Sequence, residues 1–188
     1  MTNKPDVSEF DSVDPAPPSL IQDVAGLRQI IIDEDERMFI RMRALFALRN
    51  IGGRDAVEAL AAAFESNSAL LKHEIAYVMG QMQNPVAVPY LTDRLSDMDE
   101  DPMVRHEAAE ALGAIGDLSA VKTLERFQDD PEVVISESCE VALDLLNWVA
   151  SKNFEYSDNQ SWIHVGDSSI PQTLVKNNSS PIIASASK

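Results

Sequence analysis

The sequence predicts an all-α protein built as a stacked array of short helical hairpins. Three observations support this fold class: the apolar residues follow a helical period, the same pattern recurs at a nearly constant spacing, and glycine and proline stand where the apolar runs end. Hydrophobic residues make up 45% of the 188 residues but aromatic residues only 6%. We therefore expect a core of small aliphatic side chains rather than large rings.

The repeat becomes visible when three segments are aligned, namely residues 41–52, 72–83 and 105–116. In this alignment the apolar residues Leu48, Met79 and Leu112 fall at one position, at offsets of 31 and then 33. A fourth unit follows at an offset of 31, with Leu143 under Leu112, and Val24 with Leu27 predicts a partial unit before the first. A fixed period in this range is typical of arrays in which each unit packs on its neighbours.

Each unit contains two short helical patterns, and the breaks between them are explicit. The expected breaks within units are Gly52-Gly53, Asn84-Pro85 and Gly116-Asp117. The expected breaks between units are Ser66 to Ser68, Asp99 to Pro102 and Asp129 to Pro131. No segment alternates convincingly with period two, so the prediction is an all-α, HEAT-like solenoid of about four repeats plus a partial N-terminal one. Each hairpin would bury its apolar face only against its neighbours.

This array is predicted to occupy residues 20–150. Residues 1–19 are predicted to form a disordered leader, because residues 12–18 contain three prolines. Residues 151–188 are predicted to form a disordered tail, since nine of the 38 residues are serine and four are asparagine.

The charge narrows the classes of partner. The chain carries 31 acidic and 15 basic side chains, a formal charge of −16, which argues against binding to nucleic acid and favours a cationic partner. No apolar run reaches the roughly 18 residues that a membrane span requires, so no membrane contact is expected. A single cysteine, Cys139, and an N-terminus without a signal-peptide pattern indicate a reducing compartment, and we expect a cytoplasmic protein.

The strongest candidate site lies in two consecutive units. His73-Glu74 and His106-Glu107 occupy the same repeat position, 33 residues apart, although the chain has only three histidines. The other two units carry different pairs at this position, Met42-Arg43 and Glu137-Ser138. Packing of the repeat therefore does not require His-Glu.

Two interpretations of these pairs remain open. Packed helices lie roughly 8–10 Å apart, so equivalent side chains of adjacent units would face each other across a gap that a metal ion can bridge. Two imidazoles and a carboxylate suit non-haem Fe(II), although the spacing alone does not choose between iron, zinc and manganese. The alternative is a solvated first helical turn, in which glutamate is favoured by the helix dipole.

Three other residues have simpler interpretations. Cys139 is predicted to be a small core residue. Gly80 and Gly113 share one repeat position, where close helix packing is favoured over a close backbone approach to a site.

Four segments resemble the deoxyhypusine hydroxylase family: residues 43–49, 68–74, 102–116 and 137–144. The resemblance covers about residues 12–150. It implies a HEAT-repeat iron enzyme that uses O₂ and a non-haem di-iron centre to hydroxylate the deoxyhypusine side chain of a eukaryotic translation factor. It also implies that His73, Glu74, His106 and Glu107 are metal ligands. The glutamates Glu74 and Glu107 would be catalytic, with Glu74 the better candidate for binding the substrate amine.

This sequence departs from the family in one respect. The family has two similar halves and four His-Glu motifs, whereas this chain has two motifs and resembles the C-terminal half. Its four ligands suit one Fe(II), so a di-iron centre would need a second half, supplied by a homodimer or by a separate N-terminal half. Two other functions remain open: a non-catalytic HEAT-repeat scaffold or inactive half-enzyme fragment, and a repeat protein similar to phycobilin lyases.

Overall fold

The computed structural model describes residues 14–151, and within that range it contains helices and no strand. Its α-helices are α1 (Val24–Ile32), α2 (Met38–Ile51), α3 (Gly53–Ala61), α4 (Ala69–Met82), α5 (Val88–Ser96), α6 (Pro102–Ile115), α7 (Val121–Phe127) and α8 (Val133–Ser151). Short 3-10 turns precede α5 and α7 and follow α3, at Pro85–Ala87, Leu118–Ala120 and Ala62–Glu65.

The helices form the predicted array. Three complete hairpins follow one another, α2 with α3, α4 with α5 and α6 with α7. Helix α1 is the partial first unit, and α8 is the first helix of the fourth unit. The first helices of successive units pack side by side, so that α6 lies between α4 and α8. This arrangement is the all-α solenoid expected from the repeat, and the described residues contain only the first helix of its fourth unit.

The helices end where the sequence indicates. Gly52 and Gly116 follow α2 and α6 with φ values of 70° and 79°, a left-handed conformation that glycine adopts without strain. Gln83 has the same role after α4, with φ of 47°. At the opposite ends, the side chains of Ser68 and Asp101 accept hydrogen bonds from backbone N–H groups in the first turns of α4 and α6. These caps fix the starting points of the two helices that carry the candidate site.

Two glycines set how closely the first helices approach. A Cβ added at Gly80 of α4 would lie 3.0 Å from the Cα of Ala111 in α6. A Cβ at Gly113 of α6 would lie 2.8 Å from the Cα of Ala142 in α8. The shared glycine position is therefore explained by close helix packing, the interpretation favoured from the sequence.

In three units a cation stands directly before the repeat position of the His-Glu pairs, and two of these cations, Arg41 and Arg105, are buried. Arg105 donates from Nε to the carbonyl oxygen of Leu95 at 3.1 Å, and its Nη2 lies 2.6 Å from Oδ2 of Asp130. The equivalent pairs in the other units are Arg41 with Glu34 and Lys72 with Glu100. Each cation thus anchors the first turns of its helix to the surrounding loops.

Residues 14–19 form a strap on α2, and the prediction of disorder is wrong for them. Ala16 is 1% exposed and belongs to the core. Arg43 of α2 donates from Nε to the carbonyl oxygen of Pro17 at 3.0 Å, and Arg49 pairs with both carboxylate oxygens of Asp14 at 2.9 and 2.7 Å. Two arginines and one buried alanine therefore hold this proline-rich segment, and these contacts depend on tertiary structure.

Residues 1–13 and 152–188 lie outside the described residues, so their predicted disorder stays a prediction. The third histidine of the chain, His164, lies there too, and from the sequence we expect it to have no functional role. Among the helices of residues 14–151, none is both long enough and apolar enough to cross a membrane.

Candidate metal centre

The two His-Glu pairs occupy equivalent places on neighbouring helices. His73-Glu74 lies one turn into α4 and His106-Glu107 one turn into α6, with the two helices side by side. The imidazole ring centroids are 5.7 Å apart and their planes are inclined by 47°. The structure therefore brings together the two histidines that the repeat predicts to face each other.

Three of the four predicted ligands converge. His73, His106 and Glu107 each offer a ligand atom, and these atoms all lie within 4.8 Å of one another. The closest contact joins Nε2 of His73 and Oε2 of Glu107, at 3.2 Å across the gap between the helices. Glu74 stands outside this cluster, with Oε1 3.6 Å from Nδ1 of His73.

The carboxylates change the proton affinity of His73. Glu107 is only 7% exposed, and its contact with the imidazole raises the pKa of His73 above the ordinary value, while burial opposes this shift. Glu74 adds a smaller effect in the same direction. Two acidic groups around one ring favour a positive charge between them. A proton on His73 satisfies that preference, and a bound cation would satisfy it equally.

The donor set fits a divalent metal ion. Two imidazoles and a carboxylate at this separation are a set that suits Fe(II) with open positions, and zinc or manganese also accept such donors. Among the residues that the structure describes, no group forms a hydrogen bond with the buried Nδ1 atoms of His73 and His106. Buried imidazole nitrogens normally have a partner, so these two atoms indicate side chains arranged for something besides packing.

The repeat position that carries the His-Glu pairs makes different contacts in the first and fourth units. Arg43 of the first unit faces the strap formed by residues 14–19, and Met42 is buried. In the fourth unit Glu137 is exposed and Ser138 is buried, and the Ser138 hydroxyl donates to Oε1 of Glu110 at 3.0 Å.

Glu110 is a nearby residue that the sequence analysis missed. Its Oε1 lies 3.4 Å from Nδ1 of His106, one turn along the same helix. The signal that would have found Glu110 is its position four residues after His106.

The fold and the repeat agree with a known class of protein. A family profile described as HEAT repeats matches residues 24–99 and 71–144. The chain therefore belongs to the HEAT-repeat family.

Within that class the chain is similar to deoxyhypusine hydroxylases. It is 51% identical over 147 residues to the deoxyhypusine hydroxylase of Mus musculus, covering 78% of this chain and 49% of the relative. It is 52% identical over 152 residues to deoxyhypusine hydroxylase-B of Oryza sativa subsp. japonica, covering 80% and 50%. The solved structure of human deoxyhypusine hydroxylase in complex with glycerol matches with a TM-score of 0.71 at 50% identity, covering 77% of this chain and 50% of that one. The chain thus spans about half the length of these relatives.

Proposed function

We propose that this chain takes part in the O₂-dependent hydroxylation of the deoxyhypusine side chain of a eukaryotic translation factor, which completes the formation of hypusine. The observation that carries the proposal is the convergence of His73, His106 and Glu107. It occurs in a chain whose matched residues are about 50% identical in sequence to deoxyhypusine hydroxylases. The translation factor and O₂ are then its substrates, and a cytoplasmic location belongs to the same proposal.

The metal would be iron, held by His73, His106 and Glu107, with Glu74 as the fourth predicted ligand. When bound, Fe(II) supplies the activation of O₂ for oxidation of a carbon atom next to the site. Four ligands suit one ion, so a di-iron centre would arise when a second half-site is added. We propose a homodimer or a separate N-terminal half as its source.

The placement of Glu74 supports a second role, that of binding the substrate amine. Glu107 contacts His73 of the preceding unit, whereas the unit preceding Glu74 carries Met42 at the histidine position. Glu74 is thus a largely buried carboxylate beside the ligand cluster rather than inside it. Such a group can pair with a cationic amine and orient the side chain that carries it.

A row of exposed apolar residues supports a protein substrate. One apolar side chain stands at the same position in each of four units, three residues before the histidine position: Phe39, Leu70, Met103 and Val134, which are 47%, 50%, 37% and 43% exposed. An apolar surface beside an acidic site is typical of a contact region for a macromolecule with a basic group.

Native mass spectrometry after anaerobic loading with Fe(II) tests the site first. We expect iron bound by the wild-type chain and lost in His73→Ala and His106→Ala, while His164→Ala is the matched control and keeps it. A dimer holding two irons would support reconstruction of the centre by symmetry. Iron content unchanged in both variants would contradict the assignment of ligands.

Turnover tests the reaction itself. The chain is incubated with a deoxyhypusine-containing translation factor, O₂ and a reductant, alone and mixed with the N-terminal half of a curated relative. Hypusine formed by the wild type, and lost in Glu74→Ala and His106→Ala, would support the proposal. Binding of the substrate protein without turnover, undiminished when both His73 and His106 are replaced, would favour the scaffold function instead.

A further inference from the structure

The environment of His106 differs from that of His73, although the repeat makes the two residues equivalent. The Nδ1 atom of His106 is buried and forms no hydrogen bond among the described residues. The nearest carboxylate oxygen on the same helix is Oε1 of Glu110, which lies 3.4 Å from it. The corresponding carboxylate for His73 is Glu74, which directly follows it, at 3.6 Å. The unit of His73 has Tyr77 at the position of Glu110. Each ring therefore has one carboxylate beside Nδ1, supplied from a different position in each unit.

A residue of the next unit holds Glu110 in this place. The carboxyl side chain of Glu110 is 51% exposed, so it would otherwise be free to extend into solvent. The hydroxyl of Ser138 in α8 donates to the same Oε1 atom at 3.0 Å. Ser138 is buried at the repeat position that holds Glu74 and Glu107 in the preceding units. A third glutamate there would repel Glu110, whereas serine donates a hydrogen bond to it.

We propose that Glu110, held by Ser138, is a positioning residue for His106. Its carboxylate is the acceptor placed beside Nδ1, 3.4 Å away, and a rotation of the His106 ring would bring Nδ1–H into a hydrogen bond with it. That bond would fix the ring orientation and leave Nε2 as the nitrogen that can bind a metal. Histidine ligands commonly donate their other ring N–H to a carboxylate in this way, which fixes the tautomer and raises the basicity of the ligand. The inference rests on the proposed metal site for its use, but the placement of Glu110 beside Nδ1 by Ser138 is a feature of the metal-free chain.

The tautomer of His106 is therefore the first measurement. Long-range ¹⁵N–¹H correlation spectra of the metal-free chain at alkaline pH report which ring nitrogen carries the proton. We expect the Nδ1–H form of His106 to predominate in the wild type and to decrease in Glu110→Ala. Glu140→Ala removes an exposed carboxylate from α8 and is the matched control, which should leave the spectrum unchanged. The same tautomer population in Glu110→Ala and wild type would overturn the proposal.

Metal affinity is the second measurement. Titration with Co²⁺, followed by its visible absorption, should show binding that is about 10–100-fold weaker in Glu110→Ala, the usual effect of losing such a partner. Ser138→Ala should weaken binding less, and adding it to Glu110→Ala should cause no further loss, because both act through one contact. Additive losses would overturn the role of Ser138.

The two measurements separate the proposals. If the wild-type chain binds no metal but Glu110→Ala changes the tautomer of His106, the proposed function is contradicted and the positioning role of Glu110 is supported. A chain that binds metal equally well with and without Glu110, with no tautomer change, would overturn the positioning role alone.

Discussion

Replacing Gly113 with alanine tests how tightly the first helices of the array are packed. The added Cβ would lie 2.8 Å from both the Cα and the Cβ of Ala142, whereas ordinary contacts begin at 3.4 Å. Helices α6 and α8 would therefore have to separate by about 0.6 Å at this point. Overpacking of this kind costs about 1–3 kcal/mol, while alanine gains about 1 kcal/mol over glycine inside a helix.

Gly80→Ala is the matched comparison, because it has the same gain in helix propensity at the same repeat position. Its Cβ would meet Ala111 at 3.0 and 3.2 Å, so a shift of about 0.4 Å is enough. The smaller shift at Gly80 places its overpacking cost at the low end of the range, about 1 kcal/mol, and the larger shift at Gly113 places its cost at about 2–3 kcal/mol. After the gain of about 1 kcal/mol in helix propensity, we expect the free energy of unfolding to be nearly unchanged in Gly80→Ala and lower by about 1–2 kcal/mol in Gly113→Ala. For a domain of this size, that loss lowers Tm by about 3–8 °C.

Urea unfolding followed by far-UV circular dichroism measures both variants under the same conditions. The slope of the unfolding free energy against urea should stay constant, so that the midpoints report stability directly. If Gly113→Ala were as stable as Gly80→Ala, the close approach of α6 to α8 would not limit the packing, and the explanation of the glycine position would fail.

Three further predictions concern other buried contacts. Burial raises the pKa of the Cys139 thiol to about 11, so iodoacetamide at pH 8 should modify the native chain slowly and the urea-unfolded chain quickly; equal rates would contradict this. Asp130→Ala leaves the buried Arg105 without its ion pair and should cost about 3–5 kcal/mol in urea unfolding, a loss that a midpoint equal to the wild type would refute. Arg49→Ala removes the ion pair between Arg49 and Asp14 and should speed proteolysis within residues 14–19, which mass spectrometry measures. An unchanged cleavage rate would show that this ion pair does not hold the strap.

The array and the candidate site could be predicted from the sequence because both depend on local pattern and on period. Gly52, Gly116 and Asn84-Pro85 mark helix ends through backbone conformation alone, so the helix boundaries followed directly. His73 and His106 were predicted to face each other because they share one repeat position on packed helices.

The remaining features depend on contacts between units, which the period does not encode. The repeat makes Glu74 and Glu107 equivalent, and only the stacking of α6 after α4 places Glu107 in the cluster and leaves Glu74 beside it. The contact of Ser138 with Glu110 was hidden for the same reason. The prolines of the strap predict disorder, because the local sequence does not reveal that Arg43 donates hydrogen bonds to the carbonyl oxygens of Pro17 and Pro18.

The buried cation directly before His106, Arg105, also governs how the array unfolds. Arg105 joins the carbonyl of Leu95, at the end of the preceding unit, to Asp130, at the end of its own. Unfolding of one hairpin would therefore leave a buried charge in the neighbouring hairpin without one of its partners, and an unpaired buried charge costs free energy. Amide hydrogen exchange should accordingly show α4 to α7 opening as one cooperative unit rather than hairpin by hairpin, which is unusual for a linear repeat. The two halves of the His-Glu cluster would then be lost or kept together.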